Sequence, residues 1–162
     1  MTDNRIKPLS VTAAGSGRRL TLGELGVPIV LLFVWQETSA VVDPVHRAIR
    51  DKYPLASQVL FASLADLRGI PRIFKGMVER EMSKGYREAA AELPEAARPE
   101  DYVIIIPDWD GRVCKAVGLR DTQKVPGLAV LDADGGLVGV YQGDDPVQAT
   151  LDLLSKAGAR TG

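Results

Sequence analysis

Residues Pro28-Ile-Val-Leu-Leu-Phe-Val-Trp35-Gln-Glu-Thr-Ser39-Ala40 decide the fold. The apolar run from Ile29 to Trp35 is rich in β-branched and aromatic side chains. It is too short to span a membrane and suits a strand covered on both faces. Gln36 to Ser39 break the run, and Ser39 stands where it would cap a helix from Ala40 to about Lys52. Val41, Val45, Ala48 and Ile49 recur there at helical spacing, and Tyr53-Pro54 ends the helix. A buried strand turning directly into an amphipathic helix is the first half of a crossover unit, which predicts a parallel sheet core.

On the N-terminal side, Leu9–Ala13 and Arg18–Leu22 read as strands around the turn Gly15-Ser16-Gly17. On the C-terminal side, Ser57–Ser63 reads as the next strand and Asp66–Gly69 as a turn. Pro71 then opens a long helix reaching Ala91. Its pattern predicts a buried stripe of Ile73, Phe74, Met77, Val78 and Met82. Arg72, Lys75, Glu79, Arg80 and Lys84 fall on a solvated face. After a loop over Glu92–Glu100 come a strand at Asp101–Ile106, a turn at Pro107–Gly111 and a short helix at Arg112–Val117. Pro126–Leu131 and Leu137–Gln142 form a hairpin around Asp132–Gly136, and Asp144-Asp145-Pro146 starts a last helix carrying Val147, Leu151 and Leu154. The order ββ, βαβαβα, ββα predicts an α/β protein. Its mixed β-sheet has a parallel core and a C-terminal antiparallel hairpin, with flanking helices and an N-terminal β-hairpin. No repeat or linker divides the 162 residues, which read as one domain.

Composition narrows the function. The chain is 46% hydrophobic and 25% charged, which excludes a disordered protein. Its 20 basic and 21 acidic residues leave a net charge of -1, which argues against nucleic acid or an anionic membrane surface as partner. One cysteine, Cys114, excludes an intrachain disulfide and a CxxC centre. One histidine, His46, argues against a histidine metal site or a Ser-His-Asp triad, so no metal or cofactor is expected. The N-terminus has no apolar stretch behind its charges, which predicts a cytoplasmic chain, or a periplasmic one if a signal has been removed.

A buried strand ending in tryptophan, a four-residue turn and a helix, then Val125-Pro126 opening the penultimate strand before a hairpin and a final helix, resembles the thioredoxin superfamily. The resemblance runs over residues 9 to 157. The long helix after Pro71 is similar to the redoxin, or peroxiredoxin-type, branch. Thr38-Ser39-Ala40, Asp108-Trp-Asp-Gly111 and Leu131-Asp-Ala-Asp-Gly135 resemble YtfJ-type proteins, small bacterial members of poorly defined function. The chemistry departs from that pattern. Where redox-active relatives carry Trp-Cys-x-x-Cys, this chain has Trp35-Gln36-Glu37-Thr38-Ser39, and disulfide exchange needs a thiolate.

The resemblance implies a binding groove between Trp35, Gln36, Glu37, Thr38 and Ser39 on one side and Lys124, Val125 and Pro126 on the other. A cis Val125-Pro126 bond would leave the Val125 N–H and C=O free to pair with an incoming strand. The leading expectation is therefore a non-catalytic module that binds a peptide or small ligand. Two alternatives stay open: a one-cysteine thiol oxidoreductase or peroxidase acting through Cys114, and a structural subunit that self-associates through an edge strand.

Each residue also has a plainer role. Cys114 beside Val113 and Val117 reads as a small buried residue, with Lys115 and Arg112 as the groups that would activate a thiol. Thr38, Ser39 and Glu37 suit a helix start. His46 reads as a surface or half-buried helix residue, Trp35 as core or groove wall, and Trp109 as a partly exposed turn residue. Asp132, Asp134, Asp144 and Asp145 invite a calcium reading but lack an EF-hand's ligand spacing, which favours turn chemistry.

Overall fold

The computed structural model describes residues 4–161. Among these residues seven strands form two sheets. β1 (Leu9–Thr12) and β2 (Arg19–Leu22) make a separate antiparallel hairpin. The main sheet has the order β5-β4-β3-β6-β7, with β3 (Ile29–Val34) at its centre. β3 pairs in parallel with β4 (Leu60–Asp66), and β4 in parallel with β5 (Ile104–Asp108). β6 (Gly127–Leu131) and β7 (Leu137–Gln142) complete it as an antiparallel hairpin. Every residue of β3 is buried, as its unbroken apolar run requires.

The two faces of the sheet are covered differently. Val30, Leu32 and Val34 pack against α1 (Val42–Lys52) and α5 (Pro146–Lys156) through Val45, Ile49 and Leu154. Ile29, Leu31 and Phe33 pack with the β1–β2 hairpin and with α4 (Arg112–Ala116) through Leu20, Leu22, Val113 and Cys114. Two further helices, α2 (Lys75–Ala91) and α3 (Pro99–Tyr102), lie between β4 and β5 in the chain.

Several elements differ from the sequence reading. The α-helix after Trp35 begins at Val42, behind a 3-10 turn over Gln36–Val41. Pro44 sets this boundary. In a helix starting at Ala40 it could not make the internal hydrogen bond to the Ala40 carbonyl and would clash with it. Starting at Val42 places it in the first turn. Ser39 consequently caps nothing. Its hydroxyl donates to the Gln36 carbonyl at 2.9 Å, while Thr38 Oγ1 accepts from the Trp35 N–H at 2.9 Å.

The expected buried stripe of the long helix is not buried. No residue of α2 is, and Ile73, Phe74 and Met77 are 85%, 44% and 51% exposed. α2 lies along the edge strand β5 and finds little to cover it. Tyr86 packs on Gly15, and Gly85 lies over Ile105. Pro107, expected in a turn, is inside β5 and pairs with Ala65. Proline is tolerated there because an edge strand has one row of N–H groups with no strand to meet. Residues expected to begin that strand, Asp101 and Tyr102, instead close the short α3.

Candidate functional site

The sheet register brings the predicted groove segments to one end of the molecule. Phe33 pairs with Gly127, so the chain leaving β3 through Trp35 and the chain entering β6 through Val125 and Pro126 meet at the same edge. That edge also carries the C-terminal ends of β4 and β5, where α/β sheets place their binding crevices. Gln36, Glu37, Ser39 and Lys124 are exposed there, Trp35 and Thr38 half-buried, and Pro126 buried. Val125 is 36% exposed.

The Val125-Pro126 bond is trans, since no described peptide bond is cis. This corrects the expected cis geometry, and trans is the form an X-Pro bond favours by about 0.5–1 kcal/mol. The Val125 carbonyl is also not free. Gln142 reaches across from β7, its Nε2 donating to the Asp121 carbonyl and, at 3.4 Å, to the Val125 carbonyl.

Beneath this end lies a polar cluster that sequence reasoning missed. Asp66 and Asp108 are register partners at the ends of β4 and β5, 1% and 2% exposed. Arg68 Nε and Nη2 donate to the two Asp66 carboxylate oxygens at 2.9 and 2.6 Å, and Thr122 Oγ1 donates to the same carboxylate at 2.9 Å. Gln123 Nε2 ties the loop down through the Asp66 and Arg68 carbonyls, both at 3.0 Å. Asp108 accepts the Val113 and Cys114 N–H groups at 2.9 and 3.0 Å, holding the start of α4. The chain turns there through Asp110 and Gly111, with φ of 62° and 67°. A Cβ on Gly111 would lie 2.4 Å from Arg68 Cδ, so a larger residue there would have to displace the Arg68 side chain as well as adopt a strained φ.

The environment separates the two carboxyl groups. Burial pushes Asp66 up, but the hydrogen bonds from Arg68 and Thr122 outweigh it and hold the group below its ordinary value. Burial raises Asp108, and its two backbone hydrogen bonds do not offset that. Burial likewise pushes the Cys114 thiol up, with Arg68 opposing. Cys114 is fully buried, its Sγ donating to the Leu119 carbonyl at 3.4 Å and lying 3.5 Å from Arg68 Nη2. A recess of about 390 Å³ lined by Asp66, Arg68, Arg120, Asp121 and Gln123 opens beside the loop that leads to Pro126.

The remaining predicted residues lie elsewhere. His46 is half-buried and stacks on Phe61, away from the turn. Trp109 is half-buried with Lys75 Nζ 5.8 Å from its ring centroid. Asp132 shapes the hairpin turn, its Oδ1 accepting from the Asp134 and Gly136 N–H groups at 2.9 and 2.8 Å. Among the described residues, no group of three or more His, Cys, Asp or Glu is arranged to hold a metal ion, and no helix is long and apolar enough to cross a membrane.

No protein-family model matches the chain, and no curated protein matches it in sequence. Solved structures do. The exposed lipoprotein thioredoxin Etrx1 of Streptococcus pneumoniae is 18% identical, with a TM-score of 0.60 over 93% of this chain and 99% of that one. StoA of Bacillus subtilis is 14% identical, with a TM-score of 0.58 over 91% and 98%. BsSco, of the Sco family of cytochrome c oxidase assembly proteins, is 13% identical, with a TM-score of 0.61 over 98% and 96%. What these neighbours share is the thioredoxin-like fold, and that is the fold of this chain.

Proposed function

We propose that this chain is a non-catalytic binding or accessory module. The end of the sheet formed by Trp35–Ser39 and Lys124–Pro126 would receive an extended peptide or small ligand. One observation carries the reading: the Phe33–Gly127 register brings the thiol-free polar turn after β3 and the loop before β6 to the crevice end of a thioredoxin-like sheet, with Gln36, Glu37, Ser39, Lys124 and Val125 exposed. Peptide recognition there takes main-chain pairing and side-chain pockets, neither of which needs cysteine. The burial of Cys114 and the upward shift of its thiol support this reading over the one-cysteine peroxidase, because the reactive species is an accessible thiolate. The finer likeness to YtfJ-type redoxins of bacteria belongs to the same proposal.

The test is a titration of the 15N-labelled protein with S-carboxymethylated insulin B chain, an extended polypeptide without free thiols. Saturable shifts at Gln36–Ser39 and Lys124–Gly127 are expected, and they weaken in Trp35→Ala. Shifts confined to other surfaces, or none, overturn the reading.

A further inference from the structure

We propose a second, separate site. The cavity between α1, the C-terminal end of α2 and the β4–β5 edge binds a small organic carboxylate, held by Arg50 and His46.

The cavity measures about 540 Å³, within the roughly 300–1,000 Å³ usual for small-molecule sites. His46 and Arg50 line it from successive turns of α1, on one face of the helix. Arg50 is held in place. Its Nη1 donates to the Tyr53 and Val59 carbonyls at 3.1 and 2.9 Å, and its guanidinium carbon lies 5.0 Å from the Tyr102 ring centroid. That anchoring leaves Nε and Nη2 without a hydrogen-bond partner, both closed off from solvent, so a ligand meets them by displacing the side chains that cover them. Nε and Nη2 form the guanidinium edge that meets a carboxylate with two parallel hydrogen bonds.

His46 repeats the pattern. Its ring is fixed by stacking on Phe61, with centroids 5.0 Å apart and planes at 18°, and its Nε2 is buried and unpartnered. Burial and the neighbouring Arg50 lower its pKa against the opposing pull of Asp43. The imidazole is therefore a neutral partner that adds one hydrogen bond without a second positive charge. Unpaired polar atoms of this kind are expensive to bury, and these belong to two residues of one cavity.

The walls select the rest of the ligand. Phe61, Leu93, Ile104 and Ile105 give an apolar lining suited to an aryl or alkyl body. Asp43 and Glu92 also line the cavity and are exposed. Arg47, exposed on the same lining, offsets one of them, so the rim adds no net positive charge for a multiply charged anion such as phosphate, which would also set hydrated oxygens against apolar side chains. A monocarboxylate with an apolar tail satisfies both constraints. None of these residues belongs to the groove of the proposed peptide site, so the two sites stand or fall independently.

The test titrates the 15N-labelled protein in parallel with 4-phenylbutyrate, its neutral amide and inorganic phosphate, following the Arg50 Nε–H and His46 ring resonances. Phenylbutyrate is expected to shift both saturably, and the amide to bind at least roughly tenfold more weakly. Arg50→Lys keeps the charge but loses the fork and weakens phenylbutyrate by a similar factor. Arg87→Gln, an exposed change on α2 outside the cavity, leaves affinity unchanged. If Arg50→Lys loses a dispersed spectrum, the acid–amide comparison on the wild type decides alone. Equal binding of acid and amide overturns the proposal. So do displacement of phenylbutyrate by equimolar phosphate, and the absence of saturable shifts at Arg50.

Discussion

Asp66 and Asp108 sit side by side across β4 and β5 and are pushed in opposite directions, which gives them opposite pH signatures. Asp66 is depressed in the folded state, so its contribution to stability is fully present above its ordinary value of 3.8. It is lost as pH falls through the folded value. Asp108 is raised. The folded protein therefore loses stability as pH rises from 3.8 through the folded value. Urea unfolding across this acid range should show Asp66→Asn losing ground to the wild type as pH rises towards 3.8 and holding constant above it. Asp108→Asn should gain ground above 3.8. Parallel curves for the two variants would show that the carboxylates are not separated.

Cys114 should react slowly with DTNB in native buffer and promptly once unfolded, because its sulfur is enclosed. Fast native labelling would restore the peroxidase reading. The burial of Cys114 was legible from Val113 and Val117, but the two aspartates were not. Each follows an apolar strand at the position where a charge reads as the opening of a turn. Only the period-two parity of Leu60, Ala62, Leu64 and Asp66, and of Ile104, Ile106 and Asp108, marks them as inward-facing.

Among the elements, β3 and the β6–β7 hairpin were plain in the sequence, because an all-apolar strand and an Asp-Ala-Asp-Gly-Gly turn leave few other conformations. α2 was not. A helical stripe of Ile73, Phe74, Met77 and Met82 shows that a helix has an apolar face; it does not show that anything covers that face. Thermal or urea unfolding makes the contrast measurable. Leu32→Ala, from the fully buried strand, should cost ~2–5 kcal/mol, whereas Ile73→Ala should stay within about 0.5 kcal/mol. A large loss at Ile73 would mean that the apolar face leading into α2 from the 3-10 turn Arg72–Phe74 is covered after all. Gln142 clamps the 121–125 loop from β7. In Gln142→Ala the Val125 carbonyl is released, and binding of the carboxymethylated B chain should strengthen by the same titration. Weaker binding would show that the clamp shapes the groove instead.

For the whole molecule, the thioredoxin-like scaffold and its chemistry are separable. The protein should reduce insulin no faster than a Cys114→Ala control. The double change Gln36→Cys with Ser39→Cys should introduce exchange, because positions three apart in a 3-10 turn lie over one another. An insulin turbidity assay with a thioredoxin-reductase supply measures both. Failure of the double variant would place the fault in the turn's geometry, since both positions are exposed.

The two rims of the main sheet are unequal. On β5, Pro107 has no N–H to offer, and the Ile105 carbonyl already accepts from the Ala14 N–H at 2.7 Å. Among the described residues no strand pairs with the outer side of β7, and at its first residue the Asn4 carbonyl takes the Leu137 N–H at 2.8 Å. Val140 beyond it is 46% exposed. A second copy docking rim to rim therefore finds one receptive side, its own counterpart. Such a union would be antiparallel and two-fold, and would leave no receptive rim to continue a fibre.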